Sequence, residues 1–271
     1  MKLTNIFRVG RNTTVILGIM YLGILLHSAE HLYSFWNTIP DVSDPEQHVQ
    51  GTKGTSSFRI FYEKNGKRIS PWHNIPLYSD KCIYTCHFVC EIPKWTRDKM
   101  EIQTQLKHNP IAQDMENNQV RQYHYGDMMF NYGALPQTWE DPYHIWEETH
   151  ARGDDDPVDV IEIGCQQMKL GSIHEVKILG VLGLIDEGET DWKIITISVQ
   201  DYLAPQLQDI DDVYQCLPGL LEALREWLQK YKTTNGGEEN RFAFQGEYQN
   251  RNFALHIIQK THYFWHLKFR K

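Results

Sequence analysis

Two Val- and Ile-rich runs, Val176–Ile185 and Trp192–Val199, flank the stretch Asp186-Glu-Gly-Glu-Thr-Asp191. β-branched side chains pack well on a pleated surface, so two such runs with a short polar stretch between them predict a long strand pair joined by a turn. Phe58–Tyr62, Ile83–Cys90 and Val158–Ile163 read as further short strands, with Asn65-Gly66 and Pro93 as boundaries. Helical period appears only late, first in Leu220, Leu221, Leu224, Trp227, Leu228 and Tyr231, then in Phe253, Ile257, Ile258, His262 and Trp265. This order predicts a mainly β fold, a barrel-like sheet with helices packed at its side.

A chain of 271 residues, 41% of them hydrophobic, can bury one substantial core. Residues 41–271 are taken as that domain and residues 1–40 as a separate hydrophobic or targeting segment. Residues 1–29 contain no acid, carry Lys2, Arg8 and Arg11, and run apolar from Val15 to Leu26 except for Tyr21. A cationic flank followed by an apolar run predicts a signal sequence, an anchor or an organelle presequence, with membrane contact through residues 15–26. The run is short for a span, which needs about 20 apolar residues.

A net charge of −8 and the lack of any Lys/Arg-rich run exclude a nucleic-acid surface, which needs a basic patch. Five cysteines without a Cys-x-x-Cys spacing point to a reducing compartment rather than to zinc or a disulfide framework. Cys82, Cys86 and Cys90 fall on one face of an alternating segment and read as buried thiols. Trp95, Trp139, Trp192 and Trp227 read as core or interface aromatics.

Acids crowd between Glu140 and Glu162 and again between Asp186 and Asp191. In Gly153-Asp-Asp-Asp-Pro-Val-Asp159, Asp154, Asp156 and Asp159 come from a loop that leads directly into an apolar strand. Three carboxylates converging on one point suit a hard, oxygen-ligated cation such as Mg²⁺. A calcium-binding EF-hand does not fit. Starting at Asp154, its fifth, sixth and twelfth positions would be Val158, Asp159 and Cys165.

With these residues the chain resembles the soluble family I inorganic pyrophosphatases, specifically their animal and fungal branch. GDDDPVDVIEIG (Gly153 to Gly164) is similar to the family's aspartate signature, and CEIPKW, FNYGALPQTWEDP, DEGETDWK and EWLQKYK agree in the same order. The resemblance implies an OB-like five-stranded β-barrel, a homodimer, a cytoplasmic location, and hydrolysis of inorganic pyrophosphate by a metal-bridged water among three or four Mg²⁺ ions. It further implies Asp154, Asp159 and Asp191 as ligands of the tighter metal, Asp186 and Glu101 as ligands of the others, and Asp156 as general base. Lys99, Arg121, Tyr132, Lys193, Tyr231 and Lys232 would hold the phosphates, and Glu91 would be a supporting carboxylate.

One departure from the family pattern is Asp127-Met128, where the family has Gly-Tyr, in a loop some four residues shorter; this is expected to remove a hydroxyl near the base. The chain also ends soon after its last helix. The alternative reading is a catalytically weak paralogue serving as a metal- or protein-binding subunit.

Overall fold

A computed structural model describes residues 45–79 and 83–270, so the expectations for residues 1–40 and for Cys82 lie outside the described range. The described part begins with β1 (Glu46–Gln50), β2 (Arg59–Lys64) and β3 (Lys67–Ile69), then β4 (Thr85–Ile92), β5 (Met100–Ile102) and β6 (Ile111–Gln113). A small hairpin of β7 (Met115–Glu116) and β8 (Gln119–Val120) leads to β9 (Asn131–Ala134), β10 (Arg152–Gly153) and β11 (Asp159–Glu162). The long pair β12 (Ile173–Asp186) and β13 (Glu189–Ser198) follows. The chain closes through α1 (Ile210–Cys216), α2 (Leu220–Lys230), β14 (Arg241–Phe242), β15 (Gln249–Asn250) and α3 (Arg251–Phe269).

Five of these strands form a ring. β13 pairs with β11, β11 with β9, β9 with β4, β4 with β12, and β12 returns to β13. Only the β11–β13 seam of the ring is parallel. The predicted five-stranded barrel is therefore present, with β1, β2, β3, β5 and β6 forming a second sheet.

Both faces of the ring strands are covered, which is why their sequences read as apolar runs rather than strict alternations. Val89, Ile195 and Ile197 belong to a core that includes Trp227 and Leu228 of α2. Their neighbours Phe88, Cys90, Trp192 and Ile194 belong to a second core with Ile257 and Ile258 of α3. On α3 the buried positions Ala254, Ile257, Ile258, Thr261 and Trp265 recur every three or four residues, as one helix face requires.

Three differences from the sequence reading have local causes. The acidic turn shrinks to Glu187 and Gly188, both left-handed at φ 51° and 91°, the geometry of a two-residue hairpin loop. Thr190 and Asp191 instead extend β13, because both are buried in the sheet. α1 was not expected, yet Asp209 and Asp212 form a capping box at its start, and that spacing was the available signal. Met128, read as lying near the base, is fully buried in the first core and does not itself line the acidic cavity.

Cys86 and Cys90 are buried as expected, whereas Cys165 and Cys216 are exposed. Among the described residues, no helix is long and apolar enough to cross a membrane.

Candidate active site

The Asp154–Asp156 loop is clipped to the segment that precedes it. Glu140 N–H donates to Asp156 O at 2.9 Å, and Asp155 N–H donates to Glu140 O at 3.0 Å. Gly153 is needed here because a Cβ at that position would lie 2.4 Å from the Glu140 carbonyl carbon. Asp155 is left-handed at φ 72° and accepts a bond from Trp139 Nε1 at 2.9 Å, so it faces away from its neighbours' task. Asp159 opens β11, and Asp191 and Lys193 sit two apart on β13, so that period two points both toward the same side.

The cations are interleaved with the acids. Lys193, only 3% exposed along its side chain, donates to Asp191 Oδ2 at 2.5 Å, to Asp159, and to the Tyr132 hydroxyl at 2.8 Å. Tyr132 in turn donates to Asp159. Lys99 bridges Glu101 and Asp114, each at 3.0 Å, and Arg121 reaches the same Asp114 oxygen at 3.0 Å. Tyr231 donates to Asp186 at 3.0 Å, and Lys232 pairs with Asp186 and Glu187. Glu91 is buried and accepts from Ile102 N–H at 2.6 Å.

Most of the predicted site residues line one cavity of about 170 Å³. It gathers Glu91, Lys99, Glu101, Tyr132, Asp154, Asp156, Asp159, Asp186, Asp191, Lys193 and Tyr231. Arg121 and Lys232 line a neighbouring cavity of about 130 Å³ instead. Three further residues belong to the site and were not singled out in the sequence. Asp114 ties Lys99 to Arg121, Tyr123 lines both cavities, and Glu140 sits against Asp154 and Asp191. Asp114 and Tyr123 come from a region of very short strands that carries no periodic signal. Glu140 lay within the acid-rich stretch but gave no spacing to distinguish it.

The donor set fits a divalent cation. Carboxylate oxygens of Glu140, Asp154 and Asp191 lie within 4.8 Å of one another. Glu140 Oε2 and Asp191 Oδ1 are both buried without a hydrogen-bond partner among the described residues, a costly arrangement unless something positive serves them. Burial pushes the carboxyls of Glu140 and Asp154 well above their usual range, and repulsion within the cluster adds to it. Burial outweighs the nearby Lys193 ammonium to raise Asp191 to about 7. Asp156 faces the open side of the cavity, where surrounding protein atoms, with Glu101 and Asp159, bring its carboxyl to about 7.

These shifts set a stability window. Raised carboxyls retain protons in the folded chain that the unfolded chain has lost, so stability falls as pH rises toward and through the folded values. His73, lowered to about 4 by burial, acts in the opposite direction but is neutral in both states above its ordinary 6.5. Without divalent cations, Tm is therefore expected to fall between about pH 6.5 and 8, by about 2–4 °C for each kcal/mol lost. Mg²⁺ should raise Tm more at the alkaline end. Calorimetry at both pH values decides it, and a cation-free Tm that rises across the window rejects the account.

Comparison with known proteins places the chain. A family model described as inorganic pyrophosphatase matches residues 88–266. The inorganic pyrophosphatase of Eremothecium gossypii is 50% identical over 220 residues, covering 79% of this chain and 76% of that protein. The bovine protein of the same name is 46% identical over 216 residues, covering 78% and 74%. Among solved structures, the N-terminally truncated vacuolar soluble pyrophosphatase of Trypanosoma cruzi, in complex with PPi, superposes with a TM-score of 0.81 at 43% identity, covering 84% of this chain and 92% of that one. The inorganic pyrophosphatase of Schistosoma japonicum gives 0.80 at 46% identity, covering 82% and 80%. With a family match over most of the described domain and close relatives along it, the chain belongs to the inorganic pyrophosphatase family.

Proposed function

We propose that this chain hydrolyses inorganic pyrophosphate to two orthophosphates in a Mg²⁺-dependent reaction, with residues 41–271 as the catalytic domain. The observation that carries the reading is one cavity in which seven carboxylates alternate with lysines and tyrosines. Acids alone would suit a cation and bases alone an anion. Both together suit a polyanion that arrives with metal.

Asp154, Asp159 and Asp191 would hold the tighter cation, Asp186 and Glu101 the others, and Glu140 offers a further buried oxygen. Bound Mg²⁺ would neutralise phosphate charge and make a nearby water more acidic. Asp156 faces the open side of the cavity and would take the proton from that water as it attacks phosphorus. Lys99 and Lys193 would act as point charges on phosphate oxygens, and Arg121 could fork onto two of them. Tyr132, Tyr231 and Lys232 would complete the phosphate cradle, with Glu91 fixing the β5 backbone beneath it.

Phosphate release from pyrophosphate by the full chain tests this. Activity is expected with Mg²⁺, none in chelator, and inhibition by Ca²⁺, whose looser and larger coordination should misplace the attacking water. Equal activity in chelator rejects the reading. A homodimer working in the cytoplasm is part of the same proposal. Trp95, 60% exposed and held at φ 63°, is the kind of solvent-facing aromatic such an assembly covers. The mass of the same preparation by light scattering settles that part.

A further inference from the structure

The site holds three phenols at its centre, and two of them are already engaged. Tyr132 donates to Asp159, and Tyr231 donates to Asp186. Tyr123 is only 8% exposed, and among the described residues its hydroxyl makes no hydrogen bond within the protein; it is not one of the fully buried unpaired atoms, so it opens on the cavities that the residue lines. A phenol that opens on a cavity and is not engaged by the protein keeps its O–H free to donate to whatever enters there.

Its position gives the reason. Tyr123 and Tyr231 are the two residues common to the acidic cavity and to the smaller one lined by Arg121 and Lys232. Backbone pairing sets that position: Tyr123 N–H donates to Arg97 O at 2.8 Å, and Lys99 N–H donates to Arg121 O at 3.1 Å. Residues 121 and 123 are therefore two apart on an extended segment and project to the same side. The ring is fixed edge-on against Trp227 at 5.1 Å and Tyr231 at 5.5 Å, so it loses little freedom when it meets a ligand.

We propose that the Tyr123 hydroxyl donates a hydrogen bond to a phosphate oxygen of pyrophosphate where the two cavities meet, which makes Tyr123 a further catalytic residue. The proposal rests on the pyrophosphatase reading above. Burial, opposed by Lys99, Lys193 and Arg121, leaves the phenol at about 12, so it keeps its proton for donation throughout the neutral range. A donor aimed at an anion in a water-poor site is worth more than a neutral pair.

Tyr123→Phe removes the hydroxyl and keeps the ring. In the full chain at saturating Mg²⁺ it is expected to lower kcat/KM by about 10–100-fold and to weaken binding of imidodiphosphate, the P–N–P analogue, by a similar factor. Tm should hold, since no hydrogen bond within the protein is lost. A kcat/KM within about twofold of the parent, with unchanged analogue affinity, overturns the proposal. So does lost activity accompanied by a lower Tm and unchanged analogue affinity, because ring packing would then be the cause. If the parent chain itself releases no phosphate, the pyrophosphatase reading fails instead, and the analogue titration still decides whether Tyr123 touches the anion.

Discussion

Asp156→Asn is expected to lower kcat by about 10²–10⁴-fold, the usual contribution of a general base, while the Mg²⁺ requirement stays within about an order of magnitude. The loop should survive the change. Its anchors are main-chain bonds at Glu140, Asp155 and Asp156, and Asn is nearly isosteric. A carboxyl near 7 is well matched to accepting a proton at neutral pH, and its exposure at the cavity mouth gives water a path to it. Asp159→Asn should shift the emphasis, because loss of a carboxylate that would hold the tighter cation should weaken metal binding first. Activity titrated against Mg²⁺ separates the two variants. Rescue of Asp156→Asn by excess metal would make Asp156 a ligand and refute its assignment as base.

Lys193→Met is expected to destabilise the cation-free protein by about 3–5 kcal/mol, because removing one partner of a buried ion pair leaves the other uncompensated. Methionine preserves the apolar length of the side chain, so the loss reports the charge. Asp159, Asp191 and the Tyr132 hydroxyl would all lose the ammonium that joins them. The deficit should shrink in Mg²⁺, which can serve the same carboxylates. Denaturant unfolding with and without Mg²⁺ measures it. A deficit of the same size in both conditions would show that Lys193 acts through packing rather than charge.

The parts of the fold that could be read from sequence are those where side-chain pattern and burial coincide. The β12–β13 pair and the buried faces of α2 and α3 announce themselves through apolar periodicity, because each packs against a continuous core. α1 has only two buried residues, Ile210 and Val213, so its period is too short to register and only its cap was visible. The same holds for the site. Asp154, Asp156 and Asp159 are neighbours in sequence and in space, so their convergence was legible. Glu140 reaches Asp154 and Asp191 only through the close backbone approach at Gly153, and Tyr123 reaches the cavity only through pairing with the Arg97–Lys99 segment. Contacts of that kind depend on tertiary geometry, and no local pattern encodes them.

Ring closure also has a kinetic side. The β4–β12 seam joins Val89 to Ile173, so its two strands must find each other across the intervening segment that carries β5 to β11. Loop-closure entropy is spent before such contacts form, which places the domain among slow folders. Until the seam shuts, β4 presents an unpaired edge of eight residues, nearly all of them apolar or buried in the finished structure. Substitutions along this seam, at Phe88 or Val176 for example, should therefore lower the yield of soluble protein during refolding well before they alter the chemistry of the cavity.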